Sequence, residues 1–148
     1  MPQKFQLVVD CADPDREARF WADALHYELQ SPPEGWASWS DYWRSVGVPE
    51  DELEDGHDCI VPAAGEVGPR LWFQKVPEAK SVKNRLHIDI SVSGGRSFPI
   101  QVRKQRVDAE AERLVGLGAT LVRTLFESGV DHYAVAMLDP EGNEFDIN

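Results

Sequence analysis

Apolar and polar residues alternate along this chain with two periods, and the changes of period mark its elements. FQLVVDCA, residues 5–12, alternates with period two and is rich in β-branched and aromatic residues, which predicts a strand. On that strand Gln6, Val8 and Asp10 share one side, and Leu7, Val9 and Cys11 share the other. Asp13 then reads as a helix N-cap with Pro14 at the first helical position. Ala18, Trp21, Ala22 and Leu25 recur at helical spacing, with Phe20 widening the stripe. YELQS begins a short strand, HDCIVPA and PRLWFQKV are two more, and AAGEVG between them is a turn. RLHIDISV is the next strand, SGGRSFPIQ a loop, and a helix runs from about Val107 to a stop at Gly118. ATLVRTLF, DHYAVAML and EFDIN close the chain as three strands, with DPEGN a turn whose glycine needs positive φ.

The order is strand, helix, three strands, and then the same again. The halves start near Gln6 and His87, and such repetition constrains the whole fold. A half of roughly 60–80 residues buries only a small core. Pairing would let two curved sheets face each other across a shared groove, a natural place for a ligand. One segment interrupts the pattern. In PPEGWASWSDYWRSVGVPEDELEDG, Trp36, Trp39 and Trp43 lie three and four residues apart and would form one aromatic stripe on a helix. Such a stripe is either core packing or the wall of a pocket for a flat organic molecule.

Composition narrows the partners. The 148 residues suit one domain, and 42% hydrophobic content is enough for a packed core. With 15 basic and 26 acidic residues the net charge is −11, which repels phosphate backbones and argues against nucleic acid. Lys75, Lys80, Lys83 and Arg85 lie close together with Arg70 just upstream. This basic stretch reads as a solvated loop balancing acidic neighbours, or else as an anion-steering rim. Cys11 and Cys59 make no disulfide framework. No secretory signal and no apolar run of ~20 residues is present, so a cytoplasmic protein with reduced thiols and no membrane partner is expected. There is no nucleophile elbow, phosphate loop, dinucleotide motif or Cys-x-x-Cys pair.

Four stretches in order resemble one family. They are LVVDCADPDREARFWADAL, PRLWFQKVPEAKSVKNRLHIDISV, GLGATLV and MLDPEGNEFDIN, and together they cover nearly the whole chain. The chain is similar to the glyoxalase-like branch of the vicinal oxygen chelate superfamily, which includes glyoxalase I, extradiol dioxygenases and bleomycin-resistance proteins. The resemblance implies an α+β fold of two βαβββ modules, module one about 4–80 and module two about 84–148, within one domain spanning 1–148. It also implies a homodimer and a small-molecule ligand.

In metal-using members each module contributes one ligand from its first strand and one from its last. Carried over, the positions are Gln6 and His87 on the first strands, and Gln74 and Asp146 on the last. His87 suits zinc, nickel, manganese or iron through a neutral imidazole nitrogen, and Asp146 supplies an anionic oxygen. Gln6 and Gln74 offer only neutral amide oxygens, so this set compensates a dication poorly and predicts weak binding. Asp10 and Asp89 stand an even number of residues from Gln6 and His87 and share their faces. They orient a ligand, enlarge a metal site through a second shell, or sit at strand ends in water. His132 is a candidate for acid–base work, whereas His26 and His57 match no ligand position.

Two functions fit these residues. In one, a divalent metal at His87 and Asp146 polarises vicinal oxygens of a small substrate, as a lyase or isomerase would need, with Asp146 or Asp10 as general base. In the other, a metal-free groove walled by Trp21, Trp36, Trp39, Trp43 or Trp72 sequesters a planar or cationic compound, as bleomycin-resistance relatives would imply.

Overall fold

The computed structural model describes residues 1–148. They form two compact units, Met1–Ala79 and Lys80–Asn148.

In the first unit β1 (Gln6–Cys11) is followed by α1 (Pro14–Leu25) and β2 (Tyr27–Leu29). Then come α2 (Trp39–Ser45), a 3₁₀ turn (Glu50–Glu52), β3 (Cys59–Pro62) and β4 (Arg70–Lys75). The sheet order is β1-β4-β3-β2, parallel between β1 and β4 and antiparallel elsewhere. Asp13 caps α1 by accepting the Arg16 backbone N–H at 3.1 Å. His26 ends the helix in the left-handed conformation, at φ 56°. The alternation of β1 and β4 turns Leu71 and Phe73 into the core with Cys11, against a helix face of Ala18, Phe20, Trp21, Ala22 and Ala24. Trp21 is only 4% exposed and meets the Phe20 ring edge-on at 5.3 Å, so it is core and not a pocket wall.

The second unit repeats the plan with β5 (Asp89–Ile90), α3 (Ile100–Leu117), β6 (Thr120–Leu125), β7 (Ala134–Leu138) and β8 (Glu144–Ile147). Its sheet order is β5-β8-β7-β6, with β5 and β8 parallel. Val135, Met137, Phe145 and Ile147 point to one face, where Val107, Ala111 and Leu114 of α3 are also buried. Each fully buried side chain of this kind contributes about 1.5–3 kcal/mol. The chain is therefore an α+β protein of two four-stranded mixed sheets with three helices. No helix is long and apolar enough to cross a membrane.

Three elements depart from the pattern reading. First, α3 starts at Ile100, seven residues before the expected point. Its first turns carry no apolar stripe because the inward position is Arg103, only 6% exposed, whose guanidinium bonds the Phe98 carbonyl and the Asp131 carboxylate. Second, β5 is two residues long, and His87 precedes it. As an edge strand it has a partner on one side only, and Leu86 is 84% exposed despite its place in the alternation. Third, α2 begins at Trp39 because Ser38 caps it, accepting the Asp41 N–H at 3.1 Å. Trp36 lies outside the helix, and α2 has no buried residue, so the tryptophan segment is not core.

Candidate metal centre

β8 is set in place by the turn before it. Asp139 is 3% exposed, and its Oδ1 accepts the backbone N–H groups of Glu141 at 3.0 Å and Asn143 at 2.9 Å. Gly142 takes the positive φ of 87° that this turn requires. From there the period of two sends Phe145 and Ile147 into the core and leaves Glu144 and Asp146 on the other face.

The parallel register pairs Asp89 with Asp146, so two carboxylates stand side by side on neighbouring strands. His87, two residues before Asp89, joins them on the same side. Its Nε2 lies 3.3 Å from Asp89 Oδ1 and 3.8 Å from Asp146 Oδ2. One donor atom from each of the three residues falls within 4.8 Å of the others. The side chains of His87, Asp89 and Asp146 are 41%, 52% and 27% exposed, so solvent reaches all three.

The lead-in to His87 is held by Glu144, on the same face of β8. Its carboxylate accepts the Asn84 backbone N–H at 2.9 Å and pairs with Lys80 at 3.2 Å. Those contacts, the Asn84 N–H first, hold the Glu144 carboxyl down at about 2.

The donor set suits a divalent ion. Ligands about 2.1 Å from a common centre are separated by roughly 3.0–3.5 Å in octahedral or tetrahedral arrangements, close to the His87 spacings. Two carboxylates and one neutral imidazole also balance a dication, which one carboxylate with two amides does not. Asp89 would supply the difference: the sequence places it on the face of His87, and the register sets its solvent-exposed carboxylate beside that of Asp146.

The remaining candidates are placed as follows. Gln6 opens β1 opposite Arg70, and its Oε1 accepts from the Arg70 guanidinium at 2.5 Å. Gln74 lies opposite Asp10, exposed, four residues further along the pair. Four residues of strand span roughly 13 Å, and Gln6 is taken up by Arg70, so this register does not draw the two amides together. Relative to Gln6, the strand position that matches Asp146 relative to His87 is Trp72, paired with Val8. Its indole Nε1 donates to Asp58 Oδ2 at 3.1 Å. Asp10 is an exposed residue near the end of β1. His132 sits exposed in the turn before β7 and is outside the three-donor cluster. Trp39 and Trp43 stack with centroids 5.6 Å apart, and Trp36 meets Tyr42 at 6.0 Å. Trp39 is anchored by its Nε1 donating to the Gln30 carbonyl at 2.8 Å, whereas Trp36 and Trp43 are 40% and 39% exposed. Sequence reasoning did not single out Glu144. For Glu144 the available signal was its even spacing from Asp146, which puts both on one face.

Comparison with solved structures places this architecture. A glyoxalase/bleomycin resistance protein/dioxygenase family enzyme from Burkholderia phytofirmans PsJN superposes with a TM-score of 0.56 at 16% identity, covering 97% of this chain and 94% of that one. The genomically encoded fosfomycin resistance protein FosX from Listeria monocytogenes gives 0.61 at 11% identity, covering 100% and 91%. A mutant of that FosX complexed with Mn(II) and 1S,2S-dihydroxypropylphosphonic acid gives 0.60 at 11% identity, covering 100% and 92%. At such identities the likeness is one of fold. No curated protein matches the chain by sequence. The repeated strand–helix–three-strand plan and these neighbours agree with the glyoxalase-like domain family model, which matches residues 6–148, and the chain belongs to that family.

Proposed function

We propose that the chain is a metal-assisted enzyme acting on a small oxygenated molecule, with His87, Asp89 and Asp146 holding the cation. The observation that carries this reading is the convergence of the three donor atoms within 4.8 Å on one sheet face. A divalent ion bound there would act as a Lewis acid on a substrate oxygen. The chain's own part is to orient and to move protons. His87 contributes a nitrogen lone pair and is kept in register by the Glu144 clamp on residues 80–84. Asp146 directs Oδ2 toward His87, which leaves Oδ1 as general base for a substrate proton. The exposure of all three groups lets a small substrate approach from solvent. That a fosfomycin resistance protein of this fold is described with Mn(II) supports manganese as the first ion to try, beside zinc, nickel and iron.

The test is calorimetric titration of chelator-stripped protein with Mn(II), Zn(II), Ni(II) and Fe(II), alongside a His87→Ala variant. One saturable site per chain that the variant weakens more than tenfold supports the assignment, the loss of one ligand from three being worth at least the ~10–100-fold of a supporting group. Heats that are absent, or equal in both proteins, overturn it.

A second reading rests on the tryptophan segment. Trp36, Trp39, Tyr42 and Trp43 form a partly exposed aromatic cluster on an element with no buried residue, beside the acidic 3₁₀ turn Glu50–Glu52. Aromatic faces with nearby carboxylates would hold a planar or cationic compound without metal. Quenching of tryptophan fluorescence by cationic aromatics, lost in Trp43→Ala but kept in His87→Ala, would favour this reading over the first. Both are proposed for a cytoplasmic homodimer, and a light-scattering mass of one chain would refute the dimer.

A further inference from the structure

Arg70 forms no ion pair; Arg96 and Arg106 likewise donate to backbone carbonyls, but Arg70 is held by three side chains. Arg19, Arg44, Lys75, Lys80, Arg103, Lys104 and Arg113 each pair with a carboxylate. The Arg70 guanidinium instead donates to Gln30 Oε1 at 2.6 Å, to Gln6 Oε1 at 2.5 Å and to Cys59 Sγ at 2.7 Å. All three partners are neutral. Burial, followed by the neighbouring Asp58 carboxylate, pushes the Cys59 thiol up to about 12, so it stays protonated and supplies no counter-charge. Asp58 itself accepts from the Trp72 indole. In a chain with 26 acidic residues against 15 basic ones, Arg70 still forms no ion pair, and the Asp58 carboxylate reaches it only across the shared Cys59 thiol.

Three neutral acceptors fix the guanidinium without neutralising it. A guanidinium has five N–H donors in a rigid fork that fits carboxylate and phosphate oxygens, and three contacts leave two of them. A fork already held in place loses little further entropy when it binds. Gln6, beside it, is exposed, so this edge of the sheet opens to solvent. Val8 and Trp72 pair in register on the same face, and Val8 is 46% exposed. They set apolar surface one step along the strands from the charge.

We propose that Arg70, held by Gln6, Gln30 and Cys59, is a binding site for the oxyanion of a small ligand, a carboxylate or phosphate carried on an apolar body. The Arg70 fork binds the oxyanion, and Trp72 with Val8 receives the body. This site uses residues of the first unit only and does not depend on a metal.

The experiment uses the full chain, stripped of metal on a chelating resin and kept in chloride-free neutral buffer. It is titrated separately with phenyl phosphate, benzoate, inorganic phosphate and acetate. The readouts are tryptophan fluorescence and the Nε–Hε resonance of Arg70. We expect saturable binding of an aromatic anion, tighter than that of its parent ion, with the Arg70 resonance moving. The phosphate and carboxylate arms identify which oxyanion is preferred. Arg70→Gln should weaken binding ~10- to 100-fold, the worth of a charge-assisted hydrogen bond. Arg70→Lys, which keeps the charge and loses the fork, should fall between, and Arg44→Gln should match the wild type. A wild-type protein that binds none of the four anions overturns the proposal, as does an Arg70→Gln variant that binds like the wild type. Should that variant fail to fold, the Arg70 resonance decides alone: an unmoved signal at saturating anion overturns the proposal.

Discussion

Replacing Asp146 by Asn is the most informative perturbation of the three-donor cluster, because it removes a charge and keeps the shape. Asp146 lies beside Asp89 in the strand register, with Oδ2 3.8 Å from His87 Nε2, and its side chain is 27% exposed. That exposure places the site nearer to water than to a protein interior, so a high dielectric applies. A dication about 2.1 Å from a unit negative charge is then held by about 4 kcal/mol. The Asn amide oxygen returns part of this through its dipole. If it returns half, Asp146→Asn loses about 2 kcal/mol, a ~30-fold weaker divalent affinity. Calorimetry with Mn(II) or Zn(II) measures this directly. Glu127→Gln, an exposed position after β6, removes the same unit of charge elsewhere and controls for the overall field of an acidic protein. Equal weakening in both variants would refute coordination by Asp146, since the attraction would then be diffuse.

Three further outcomes are expected. Glu144 has a folded value held at about 2, below an ordinary carboxyl, so its stabilising contribution is complete above about pH 4.5 and disappears as the pH falls toward 2. Melting temperatures of the wild type and Glu144→Gln should therefore differ at pH 6 and converge through that window; a constant gap would refute the clamp. Gly56→Ala should cost about 1–3 kcal/mol in urea denaturation, because Gly56 sits at φ 97° and an added Cβ would collide with the Asp15 carboxylate that holds the His57 N–H. Cys59, 2% exposed and pushed up to about 12, should resist thiol reagents in the native protein and react only on unfolding; rapid native labelling would contradict its burial.

The sequence by itself determined the repeated order of elements, because a period of two or of 3.6 residues is a local property that any one segment displays. β1, α1, β7 and β8 appear in the sequence for that reason, as does the DPEGN turn with Gly142 at positive φ. So does the common face of His87 and Asp89. Local pattern failed where tertiary partners replace apolar residues. The start of α3 buries Arg103 against Asp131 in place of an aliphatic side chain, and β5 keeps an apolar alternation longer than its pairing. Only the tertiary structure decided which residues meet across strands. Register depends on the whole sheet, and a shift of one residue reverses every side chain. It brought Asp146 to Asp89, beside His87. It also separated Gln74 from Gln6 and gave Gln6 to Arg70, leaving that guanidinium with three neutral partners.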